Sequence, residues 1–240
     1  MDRSYRADES RSGKNGACLM AKLLPKNQFL PFTHGSLKAM WTADVAGFAG
    51  LIDPATIPAR GVDETTLLEW FGERESRIAL LAFALTGYPP THVVREFSIG
   101  SFITDFAWAN IQPDTKPVFG FVEFEHAKED TLFKQKSRTV PYIGPSFLNG
   151  FSQLVDWCSF GQTEAEKSPQ ISKLLNGHKH AAKMKTQFAL IAGLDCFAAT
   201  PMSVRRREWW EANIKLGHAT HTKSYTEVCE DAEQRLVYLK

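Results

Sequence analysis

The chain has 240 residues, 43% of them hydrophobic and 23% charged, enough for one large domain with a substantial core. A net charge of +1 supplies no global field for a polyanion, so any nucleic-acid binding has to rest on local patches. No apolar run reaches membrane-spanning length, the best (188–199) being interrupted by Asp195, and the polar N-terminus lacks the apolar stretch of a secretory signal. The four cysteines, Cys18, Cys158, Cys196 and Cys229, show no CxxC spacing, so they read as reduced thiols in a cytoplasmic protein without a membrane partner.

Residues 1–17 are polar, of mixed charge, and read as a disordered tail. Residues 18–62 form an arm or cap of short apolar pieces broken by Pro25, Pro31, Pro54 and Pro58, with no assignable regular element. Asp63 reads as the N-cap of a helix carrying Leu67, Leu68, Trp70 and Phe71, and opens a domain that extends to residue 240. A second helix, Ser76 to Thr86, stops at Gly87 ahead of Pro89 and Pro90. Strand patterns follow at His92 to Phe97, Ser101 to Trp108 and Val118 to Glu125, and then a long polar loop from His126 to Pro145. Ser146 opens a helix with Phe147, Phe151, Leu154 and Val155 on one side and Asn149, Gln153 and Asp156 on another. A charged linker, Gly161 to Pro169, precedes a helical run to Lys185, a buried strand at Gln187 to Gly193 and a helix from Arg205 to Leu216. Ser224 and Glu227 match a capping box for a last helix. Helices and strands in this order predict an α/β fold around a short mixed sheet.

The chemistry centres on three acids in apolar strands. Asp105 interrupts Phe102 to Trp108, and Glu123 and Glu125 interrupt Val118 to Glu125. Side chains two apart on a strand share a face, so both Glu carboxylates point the same way. A buried carboxylate is costly unless it is paired or holds a metal, which makes a divalent-cation site one reading and a solvated acidic edge strand the other.

Four segments in order carry a family resemblance: Gly100 to Phe106, Phe121 to Ala127 with Leu132-Phe133 behind it, Ser146 to Asn149 running into Gln153 to Trp157, and Arg205 to Asn213 with Lys223 to Tyr225. Together they resemble the PD-(D/E)XK nuclease core and, more narrowly, the Shedu family of bacterial anti-phage nucleases, over roughly residues 64 to 231. The resemblance implies a restriction-endonuclease-like core, with Asp105 as the motif aspartate and Glu123 as the first acid of the D/E-x-K pair. It also implies Mg²⁺ or Mn²⁺ as cofactor and Gln153 projecting toward the scissile phosphate or a water. Glu125 occupies the usual lysine position, where it can bind a second metal or accept a proton from water but cannot supply positive charge. Glu96, on the preceding strand, is a further candidate ligand whose plain alternative is an ion pair with Arg95.

Three basic groups are candidate DNA contacts: Lys134, Lys136 and Arg138 in the loop beside the acidic strand, Lys179 and Lys183 in a lysine-rich run, and Arg205 and Arg206. The expected function is a Shedu-like, Mg-dependent endonuclease acting on double-stranded DNA, with a regulatory partner at the N-terminal region and a homo-oligomer as further expectations. The alternative is a catalytically degenerate nucleic-acid-binding or scaffolding protein on the same fold.

Overall fold

The computed structural model describes residues 22–33, 36–134, 140–214, 216 and 220–239. From the N-terminus come β1 (Leu30–Pro31), α1 (Leu37–Ile52), β2 (Gly61–Val62), α2 (Glu64–Gly72), α3 (Glu75–Thr86), β3 (His92–Ile99), β4 (Phe102–Asn110) and β5 (Val118–Phe124). Short pieces follow, namely β6 (Ala127–Lys128), α4 (Glu129–Leu132), β7 (Phe133–Lys134) and β8 (Tyr142–Ile143). Then come α5 (Pro145–Asp156), α6 (Gln162–Lys167), α7 (Pro169–Leu174), β9 (Lys185–Ile191), α8 (Pro201–Asn213), β10 (Thr220–Lys223) and α9 (Tyr225–Val237).

A six-stranded sheet in the order β1-β3-β4-β5-β9-β10 divides the molecule into two apolar layers. Pairing is antiparallel from β1 to β5 and parallel across β5-β9-β10, so this is an α/β fold on a mixed sheet. One core lies under α1, α2, α3 and α9 and takes Phe106, Trp108, Val122 and Phe124 from the sheet. The other lies under α5 to α7 and takes Ala107, Ala109, Phe119, Phe121 and Leu190. Alternation along β5 thus sends Val122 and Phe124 to the first core and leaves Glu123 on the α5 side, with Phe119 and Phe121.

Several local readings hold for stated reasons. The Asp63 side chain accepts from Thr66 N at 2.8 Å and caps α2, and Gly87 closes α3 in the left-handed conformation (φ 80°). Ser224 and Glu227 cap α9 reciprocally. Other segments differ from expectation. The supposed linker after Gly161 is helical, because a π-turn at Trp157–Gly161 continues α5 into α6, where Glu164 pairs with Lys167 at 2.7 Å. The run after Gln170 is α-helical only to Leu174, Gly177 (φ 78°) turns the chain away, and a single 3-10 turn follows at Ala181–Lys183. The region read as irregular contains the 16-residue α1, whose Trp41, Val45 and Phe48 are buried in the first core. Among the described residues no helix is long and apolar enough to cross a membrane, and Cys158, Cys196 and Cys229 are free thiols.

Gly120 shows how tightly the sheet is fitted. It lies opposite Trp108, and a Cβ there would fall 2.0 Å from the indole. Gly120→Ala is therefore expected to destabilise the fold by at least about 1–3 kcal/mol, read as a lower urea midpoint; an unchanged midpoint would contradict this packing.

Candidate metal centre

β4 and β5 pair in register from Asn110↔Val118 to Phe106↔Val122, and the ladder ends there. Asp105 comes next, and its carboxylate rather than a backbone carbonyl accepts from Phe124 N at 2.7 Å. The side-chain alternation of β4 reverses across this point. Phe106 and Trp108 face the first core, whereas Phe102, of the same parity, faces the second. β3 reverses with it, since Val93 faces the first core and Phe97 the second. The strands part, and the aspartate fills the place of the missing ladder bond.

Glu123 and Glu125 arrive from the C-terminal end of β5, where Glu125 N still bonds Ile191 O of β9 at 2.9 Å. The Glu125 side chain, 9% exposed, lies under α5, takes a hydrogen bond from the Gly150 backbone, and would collide with any Cβ at Gly150 (2.9 Å to Cγ). Its carbonyl oxygen accepts from the buried Tyr225 hydroxyl at 2.8 Å, which ties the first residue of α9 to the same spot. Gln153, one turn beyond Gly150, hydrogen-bonds the Glu123 carboxyl, whose other oxygen, Oε2, is buried without a protein partner.

Two further residues belong to this group and are not among the site residues expected from the sequence. Glu64, the first residue of α2, is brought in by the β2–β6 pairing, which sets Val62 against Ala127. Its backbone N–H donates to His126 Nδ1 at 3.1 Å. Glu64, Glu125 and His126 each offer a ligand atom within 4.8 Å of the others. An acid in a first helical turn ordinarily just complements the helix dipole, so its spacing alone carried no signal.

The electrostatics record the convergence. Burial, with Glu64 and Glu96 added, pushes the Asp105 carboxyl above its usual range. Burial does the same to Glu123, followed by the charges of Asp105, Glu125 and Glu64. Glu125 is pushed up to about 7 by burial, then by Glu64 and Asp105. Four carboxylates thus oppose one another in a poorly hydrated site, which is the condition a divalent cation relieves.

The remaining candidates are placed elsewhere. Both oxygens of Glu96 are engaged, Oε1 by Arg95 at 2.8 Å and Oε2 by Lys26 at 2.6 Å, so it is a held ion-pair partner rather than an open ligand. Lys179 pairs with Asp114 at 2.5 Å, and the strand after it begins with Lys185 opposite Val118. That puts Lys179 and the exposed Lys183 at the start of β5, roughly 20 Å from its acidic end at about 3.3 Å per residue. Lys134, on β7, pairs with Asp130 at 3.0 Å, while Lys136 and Arg138 lie outside the described residues. On α8, Arg205 is exposed and Arg206 donates to Pro141 O at 2.5 Å. Trp210 packs on Phe147 and Phe151, leaving its neighbour Trp209 59% exposed.

Raised carboxyls fix the sign of a pH response. Each keeps its proton in the fold where the unfolded chain has lost it, from roughly pH 4 upward. Their contribution to stability is full below that value and is lost as pH rises through the folded pKa, about 7 for Glu125. In chelator, Tm should fall between about pH 5 and 8, and Glu123→Gln should flatten that slope; a Tm rising across this window would refute it. Gly150→Ala, which displaces Glu125, should cost about 1–3 kcal/mol in urea unfolding and weaken Mn²⁺ binding by calorimetry; unaltered Mn²⁺ affinity would show Glu125 to be no part of the centre.

Residues 63–209 match the family model described as Shedu protein SduA, C-terminal. Among curated proteins, none matches the chain.

Proposed function

The chain belongs to the Shedu family of anti-phage defence proteins, and from that premise we propose that it is a metal-dependent endonuclease that cuts DNA, double-stranded DNA foremost. One observation carries the proposal: Asp105, Glu123, Glu125 and Glu64 converge, and the buried Glu123 Oε2 has no protein partner. Like charges gathered in a dry site cost stability, and a scaffold would lose nothing by exchanging them for apolar residues. A cation-binding enzyme needs them.

The donor set of carboxylate oxygens fits Mg²⁺ or Mn²⁺. Such an ion supplies polarisation of a phosphoryl oxygen and a lowered pKa for a bound water. Asp105 and Glu123 hold it from two strands. Gln153 fixes the Glu123 carboxyl and is exposed enough to reach a phosphate oxygen or water. Glu125 takes the proton of the attacking water, a task open to a carboxylate at the position where the motif has lysine. Glu64 completes the acidic wall.

The assay incubates linear and supercoiled DNA with Mg²⁺ or Mn²⁺. Wild type should cut, and Asp105→Ala and Glu123→Ala should each lose about 100-fold or more in rate. Cutting that survives both substitutions removes the site from the reaction. Binding without cutting under either metal would establish the scaffold reading instead.

A further inference from the structure

Among the described residues two other than glycine have positive φ, Asn27 at 54° and Glu96 at 49°. They meet. Asn27 N donates to Arg95 O at 2.8 Å, its side-chain oxygen accepts from Ser98 N at 3.1 Å, and Lys26 bridges Arg95 between them. A glutamate enters that backbone region only where its surroundings hold it, and such residues gather at functional sites. Glu96 lies across the β3–β4 ladder from Asp105, since Arg95↔Phe106 and Phe97↔Thr104 flank it. What holds it is Arg95 on one oxygen and the Lys26 ammonium on the other.

Lys26 is delivered by a segment fixed on both sides. Leu24 N donates to Gly72 O, Gln170 Nε2 donates to Asn27 O, and Phe29 is buried 4.8 Å from the Phe97 ring. The backbone is anchored while the Lys26 side chain remains 61% exposed. Arg95, with a 13% exposed side chain packed against Gly72, has no such freedom. We infer that Lys26, held on Glu96 beside Asp105, is the cation that grips the substrate phosphate in this site, the part that Glu125 cannot play.

This inference rests on the nuclease reading. It also accounts for a motif with no lysine of its own: the charge comes from residues 22–33, outside the matched segment. An ammonium with three rotatable donors can exchange one carboxylate oxygen for a phosphate oxygen without moving the backbone.

The test uses the full chain, linear duplex DNA and Mn²⁺, with wild type, Lys26→Gln, Lys26→Arg and Asp105→Ala side by side. Lys26→Gln should lose about tenfold or more in kcat, with the Mn²⁺-induced rise in Tm unchanged, and Lys26→Arg should recover most of the rate. Wild-type cutting by Lys26→Gln, with Asp105→Ala inactive, overturns the role of Lys26 and leaves the nuclease reading standing. Loss of the Mn²⁺ response in Lys26→Gln also overturns it, since the residue would then act by holding the fold. A wild type that cuts with no metal removes both.

Discussion

The structure depends on one unfavourable act, the burial of mutually repelling carboxylates where β4 and β5 separate. An antiparallel ladder does not end without leaving backbone donors behind, and here the donor left by the parting strands, Phe124 N, is claimed by Asp105. The same hydrogen bond that repairs the sheet therefore fixes an acid at its split. Because Glu123 and Glu125 flank Phe124, the register that satisfies the sheet also sets the second and third acids in place. Fold and site share a single constraint.

Around that constraint the compensations are arranged on the side away from solvent. Tyr225 donates to the Glu125 carbonyl rather than to any carboxylate, so it stiffens β5 without neutralising the acids. Gly150 brings the α5 backbone against Glu125 as closely as a helix can come, and Gln153 binds Glu123 with a neutral donor. Full cations are kept at the margin: Arg95 acts on Asp105 but is committed to Glu96, and Arg207 is occupied with Asp195, Glu211 and Glu227. A protein selected only for stability would place an arginine among the four carboxylates.

How much of this was legible in the chain follows from the range of each interaction. Asp63 capping its own helix, Gly87 ending the next, and the Ser224–Glu227 box are local, and periodicity exposes them. Asp105, Glu123 and Glu125 stand out because an acid within an apolar strand contradicts its neighbours. Glu64 and His126 contradict nothing around them, and only the two-residue β2–β6 pairing brings them to the site. The 18–62 stretch hid α1 for a related reason. Its prolines lie outside Leu37–Ile52, at 25, 31, 54 and 58, and they mask an uninterrupted helix whose apolar face is spent on α3 and α9. The lysine-rich run misled in the opposite direction: charge density marked it, but topology put Lys179 and Lys183 at the far end of β5.

The N-terminal residues are therefore part of the body that holds the acids in place. Trp41 and Phe48 of α1 lie in the same core as Phe106, Val122 and Phe124, the residues that bracket Asp105 and Glu123 in sequence. Tyr225, outside the matched segment at the other end, completes that core and bonds the Glu125 carbonyl. The matched residues 63–209 contain the acids but lack both flanks that hold the first core closed. Strain at Glu96 argues the same way, because a left-handed glutamate across from Asp105 is kept there in part by Lys26 from residues 22–33. Displacing that segment would remove the Lys26 hold on one Glu96 oxygen beside Asp105 and leave Arg95 on the other, so the docking of the N-terminal segment bears directly on the surroundings of the acids.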